Sequence, residues 1–181
     1  MFPRFRVRSG VLRAPLASAA LALVLLLGGC GVYSFTGGGL PRHIRTVAVL
    51  PFDNVTTQGL LSTDLQLALQ EALPRNLGVR LADQSVADAV VRGRITGYNE
   101  TTPNIRPATP GGAPAVIQQE IRITFEAEIY DLRENRPIWE ARSLSGIGTF
   151  APERGEQFTT GKARAIEDLV RKLIEGAQSQ W

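Results

Sequence analysis

Ile117-Gln118-Gln119-Glu120-Ile121-Arg122-Ile123-Thr124-Phe125-Glu126-Ala127-Glu128-Ile129 places apolar side chains, Gln119 apart, at every second position. Successive side chains of a strand point to opposite faces, so this alternation predicts a long strand with one buried and one polar face. That is the pattern of an antiparallel sheet covered on one side only. Ala89, Val91, Gly93 and Ile95 repeat the period in a second strand over residues 89–98, which puts Arg92, Arg94 and Thr96 on its polar face. A third, over residues 139–149, follows the Asn135-Arg136-Pro137 turn and closes a hairpin. Glu126 and Glu128 share a face of the first strand and read as a solvated surface beside Gln118 and Arg122.

Outward from this centre the periodicity changes. Residues 44–50, Ile-Arg-Thr-Val-Ala-Val-Leu, are β-branched and apolar up to Pro51, which predicts a buried strand, and residues 79–81 predict a short one. Leu60, Leu61, Leu65, Ala68, Leu69 and Ala72 recur at helical spacing, with Pro74 and Gly78 ending the helix. Ala163, Ile166, Val170, Leu173, Ile174 and Ala177 mark a second amphipathic helix over residues 156–178. Two helices cover one face of such a sheet, so the expected class is α+β: a two-layer α/β sandwich, mostly antiparallel, of about four strands. Residues 99–115, with Pro103, Pro107, Pro110 and Pro114, read as a long loop, of the kind that is commonly functional or disordered, with Arg106 near its middle.

The N-terminal end decides the compartment. Residues 1–29 hold Arg4, Arg6, Arg8 and Arg13 and no acid, followed by an apolar run over residues 14–27 that is too short to span a bilayer but suits a secretory leader. Leu27-Gly28-Gly29-Cys30 then looks like a lipobox, with the chain's single cysteine as the acylation site. One cysteine excludes an internal disulfide. Several acyl chains anchor durably where one is marginal. Gly31 rather than Asp follows the cysteine, which by analogy with enteric sorting favours the outer membrane. The expected organisation is a signal peptide over 1–29, a lipidated Gly-rich tether over 30–41 and a sandwich domain over 42–181. Of the chain's 20 basic residues four lie in the leader, leaving 16 against 17 acids, a net of −1, which removes the case for nucleic acid.

Nothing in the sequence points to catalysis or to a cofactor. His43 is the only histidine and sits at a strand entrance, where an exposed or capping role is expected, and no Cys, His or carboxylate cluster has metal-ligand spacing. Gly37-Gly38-Gly39 is no phosphate cradle, because no strand precedes it and no Lys-Ser/Thr pair follows. Asp53-Asn54 reads as a turn.

Cys30-Gly31-Val32-Tyr33-Ser34-Phe35, then Leu40-Pro41 and residues 44–54 ending Leu50-Pro51-Phe52-Asp53-Asn54, resemble the start of the LptE family of lipopolysaccharide-assembly lipoproteins. The resemblance implies a non-enzymatic sandwich that plugs an LptD-like β-barrel in the outer membrane and assists delivery of lipopolysaccharide. The strand ending Pro51-Phe52-Asp53-Asn54 is also similar to CsgG-like and LpoB-like lipoproteins, a secretion pore and a peptidoglycan-synthase activator. The length after Cys30 leaves little room for pore strands, and the tether is short for crossing the periplasm, so the LptE reading is favoured. Arg92, Arg94, Arg106 and Arg122 are then the candidate lipopolysaccharide contacts, since a guanidinium fork matches phosphate. Pairing of these arginines with Glu120, Glu126 or Glu128 across strands is the competing reading.

Overall fold

The computed structural model describes residues 39–107 and 115–179; the leader, Cys30 and the stretch to residue 38 lie outside the described residues. The elements are β1 (Thr46–Val49), β2 (Asp53–Asn54), α1 (Leu61–Leu77), β3 (Arg80–Leu81), β4 (Ala89–Arg106), β5 (Ala115–Asp131), β6 (Arg136–Phe150), a short 3₁₀ turn (Pro152–Arg154) and α2 (Phe158–Gln178). The chain is α+β, as expected, but the sheet has six strands rather than about four, in the order β3-β1-β4-β5-β6 with β2 also on β4. β4, β5 and β6 form the expected antiparallel meander, whereas β1, β2 and β3 add short parallel pairings. These are two- to four-residue strands, too short for their pairing to show in the sequence period.

Ile121, Ile123, Phe125, Ala127 and Ile129 of β5, with Ala89, Val91 and Ile95 of β4, are buried on the face covered by both helices. α1 contributes Leu61, Leu65, Leu69 and Leu73, one residue per turn. It does not stop at Pro74 but runs to Leu77, ending at Gly78 with φ 66°, whose N–H reaches the Pro74 carbonyl. A proline in a last turn costs only one ladder bond, and the glycine supplies the left-handed cap. Lys162 Nζ on α2 meets Asp64 Oδ2 on α1 at 2.7 Å, joining the two helices over the core.

The expected loop over residues 99–115 is a correction. β4 continues to Arg106 and β5 begins at Ala115, so most of that segment is a paired two-stranded arm. The reason lies in the neighbour that β4 loses. β2 ends opposite Ile95, and beyond it β4 has β5 on one side only, where a missing N–H at Pro103 is tolerated at a register shift. Ile95 pairs with Phe125 but Gly97 with Thr124, so Thr96 is an inserted residue and the alternation of β4 flips past it. Tyr98 thereby turns to the helix side, edge-on to Phe158 with ring centroids 6.4 Å apart.

β6 is the long edge of the sheet, and α2 shields part of it. Arg164 donates to the Thr149 carbonyl at 2.7 Å, Asp168 accepts from the Ile147 N–H at 3.0 Å and Lys172 donates to the Ser145 carbonyl at 2.7 Å. Residues four apart on a helix thus meet strand residues two apart, the groups an edge would otherwise offer to another chain. Among the described residues, no element covers the polar face of the sheet.

Candidate interaction surface

On that open face the strand register sets charge against charge. Arg92 lies opposite Glu128 and bonds it through Nε at 2.6 Å, with its guanidinium carbon 4.6 Å above the Tyr130 ring. The bond to Glu128 holds the Arg92 pKa above its ordinary value. Arg94 lies opposite Glu126 and reaches Asp53 at 3.3 Å. A groove of about 600 Å³ runs between them, lined by Arg92, Arg94, Glu126, Glu128, Glu140 and Arg142 among others. Arg122 bonds Glu120 at 2.8 Å further along β5.

The four candidate arginines are therefore spread over the sheet and its arm and do not converge. Four residues separate Arg122 from Glu126, the partner position of Arg94, which is roughly 13 Å of strand. Arg106 is at the far end of the arm opposite Ala115, roughly 24 Å beyond Arg122, where it bonds Glu153 of the 3₁₀ turn at 3.2 Å. Arg92 and Arg94 are the pair brought to one groove. Each of the four is already held by a carboxylate, but these exposed pairs contribute only about 0–1 kcal/mol apiece, so a phosphate can displace them.

The motif residues have structural duties beneath this face. Phe52 is buried edge-on against Phe125, centroids 4.9 Å apart. Asn54 sits in β2 and also organises the turn expected of it: its Oδ1 accepts from the Thr56 N–H and hydroxyl, and its Nδ2 donates to the Gln58 carbonyl ahead of α1.

A second polar cluster, which sequence spacing did not reveal, lies at the β1 end of the sheet. Asp88 accepts from the N–H groups of Arg45 and Thr46 and from the Thr46 hydroxyl, and faces Arg133. The Arg45 N–H bond foremost, with the other donors outweighing burial, holds its carboxyl down to about 2. Asp131, 1% exposed, accepts from the Arg133 and Glu134 N–H groups through Oδ1 and meets His43 Nε2 through Oδ2 at 2.6 Å. Burial raises the Asp131 pKa, but the Glu134 N–H, His43 and the Arg133 N–H together bring it below the usual range. His43 is thus partnered, 88 residues away in sequence, rather than simply exposed.

A family model described as LptE, lipopolysaccharide-assembly, matches residues 44–177. No curated protein matches the chain by sequence. Solved structures similar to it include the PelC dodecamer from Paraburkholderia phytofirmans, at 19% identity and TM-score 0.46, covering 77% of this chain and 93% of that one. A minor lipoprotein from Acinetobacter baumannii is 18% identical with TM-score 0.43, covering 77% of this chain and 94% of that one. A lipoprotein from Neisseria meningitidis is 12% identical with TM-score 0.43, covering 72% and 98%.

Proposed function

The chain belongs to the LptE family of lipopolysaccharide-assembly proteins, and on that premise we propose that it is a non-catalytic outer-membrane subunit, anchored through acylated Cys30, that plugs an LptD-like β-barrel. The observation that carries the reading is the extent of the match, from Ile44 before β1 to Ala177 in the last turn of α2, which takes in every element of the sandwich. The surface chemistry supports it. A barrel lumen is polar, and the open sheet face offers it paired Arg and Glu side chains. No helix among the described residues is long and apolar enough to cross a membrane.

Within this reading Arg92 and Arg94, with Arg122 and Arg106 further along the sheet and its arm, exchange their carboxylates for lipopolysaccharide phosphates. The test is co-purification of the tagged lipoprotein from detergent-extracted outer membranes. A large outer-membrane barrel in stoichiometric amount is expected; a peptidoglycan synthase in its place would overturn the plug.

A further inference from the structure

We propose that His43, Asp131 and Glu134 form a zinc-class metal site that clasps the N-terminal entry of the domain to the β5–β6 turn. One donor atom from each lies within 4.8 Å of the other two, a convergence of residues from two ends of the sequence. His43 Nε2 is 2.6 Å from Asp131 Oδ2 and 3.9 Å from Glu134 Oε1. Donor atoms on a tetrahedral zinc lie about 3.3 Å apart, given bonds of about 2.0–2.1 Å, so the observed spacings bracket the required one.

The remaining atoms are arranged as a metal site needs them. Both N–H bonds to Asp131 fall on Oδ1, which fixes the carboxylate and leaves Oδ2 turned toward the imidazole. Arg136 holds Glu134 through Oε2, leaving Oε1 turned toward His43. Such outer contacts orient ligands and fix their geometry. Two carboxylates neutralise a divalent cation, and the imidazole selects zinc, cobalt or nickel over magnesium or calcium, which prefer all-oxygen shells. Binding replaces the His43–Asp131 hydrogen bond: the imidazole takes the form with its proton on Nδ1, reached by loss of the Nε2 proton from the imidazolium or by its exchange through solvent from Nε2 to Nδ1, the Nε2 lone pair and Asp131 Oδ2 turn to the ion, and water completes the shell.

The consequence is mechanical. His43 stands three positions before β1, where the chain enters the sheet, Asp131 ends β5 and Glu134 lies in the turn that joins β5 to β6. The ion would fasten that entry point to the rigid meander, independently of any barrel partner.

The experiment uses the lipidated chain in detergent, freed of metal by chelation, titrated with Zn²⁺ by calorimetry and with Co²⁺ by visible absorption. One ion per chain, a Tm rise with Zn²⁺ and none with Mg²⁺ or Ca²⁺ are expected. Glu134→Gln, at an exposed position that leaves the fold intact, should weaken Zn²⁺ binding about 10- to 100-fold, and His43→Ala should abolish it. Glu71→Gln, on the exposed side of α1, should change nothing. Absence of Zn²⁺ binding, or binding unchanged in Glu134→Gln, would overturn the site and leave a His43–Asp131 hydrogen bond alone.

Discussion

Gly148 of β6 lies so close under Gly161 of α2 that a Cβ on Gly148 would fall 2.0 Å from the Gly161 carbonyl oxygen. A Cβ on Gly146, two residues earlier, would fall 2.2 Å from the Ala165 carbonyl oxygen. The helix is therefore seated on bare backbone, which brings Arg164, Asp168 and Lys172 within reach of the strand edge. Gly148→Val should push α2 away and cost about 1–3 kcal/mol, read as a lower urea midpoint. Gly59→Ala, with nothing within 4 Å, should change stability by less than about 0.5 kcal/mol. Equal midpoints for Gly148→Val and wild type would contradict this packing.

Removing the side chains that cover β6 should free its edge. Arg164→Ala/Asp168→Ala/Lys172→Ala exposes the Thr149 and Ser145 carbonyls and the Ile147 N–H together. The triple variant should self-associate with rising concentration in sedimentation velocity while retaining wild-type circular dichroism. A variant that sediments as wild type does would show that the edge needs no cover.

Acid should loosen the β1 end through Asp88. Its folded pKa, about 2, is below the ordinary value of 3.8, so the stabilisation is fully present above about pH 4 and is lost as pH falls toward 2. The shift corresponds to about 2 kcal/mol, at 1.36 kcal/mol per pKa unit. Asp88→Asn should lose about that much at pH 7 and show correspondingly less loss between pH 4 and pH 2 in urea titrations. Parallel pH profiles for variant and wild type would refute the assignment to Asp88.

Charge reversal separates lipopolysaccharide contact from plain cross-strand pairing. Arg92→Glu/Arg94→Glu and Arg106→Glu/Arg122→Glu each break exposed ion pairs worth about 0–1 kcal/mol, so melts should move little. Binding of purified lipopolysaccharide should fall, and more for the first pair, which shares one groove. If both folded double variants bind as wild type does, the protein is a plug without a ligand site of its own.

How far the sequence could be read follows from how local each signal is. The alternation around Phe125 and the stripes of α1 and α2 are local, and they yielded the meander, the helices and the side they cover. β2 is two residues long and leaves no period to read, whereas the short strand expected over residues 79–81 is present as β3; its parallel pairing with β1 is what the sequence does not show. The arm beyond Tyr98 reads as a loop because its prolines and polar residues carry loop composition; only the loss of β2 as a neighbour makes them acceptable in a strand. The inserted Thr96 and the meeting of His43 with Asp131 are products of register and topology, so no spacing announces them. Arg92, Arg94 and Arg122 are legible as residues of a polar strand face and Arg106 only as a loop residue, and the distances that separate the four are not legible at all.

The central claim, that this sandwich sits inside a barrel, is tested most directly by photo-crosslinking in intact cells. Crosslinkers at Thr124 on the open sheet face and at Arg106 on the arm should both trap one large outer-membrane β-barrel, since a barrel encloses its plug on every side. Capture of peptidoglycan enzymes at both positions, with no barrel at either, would contradict the account.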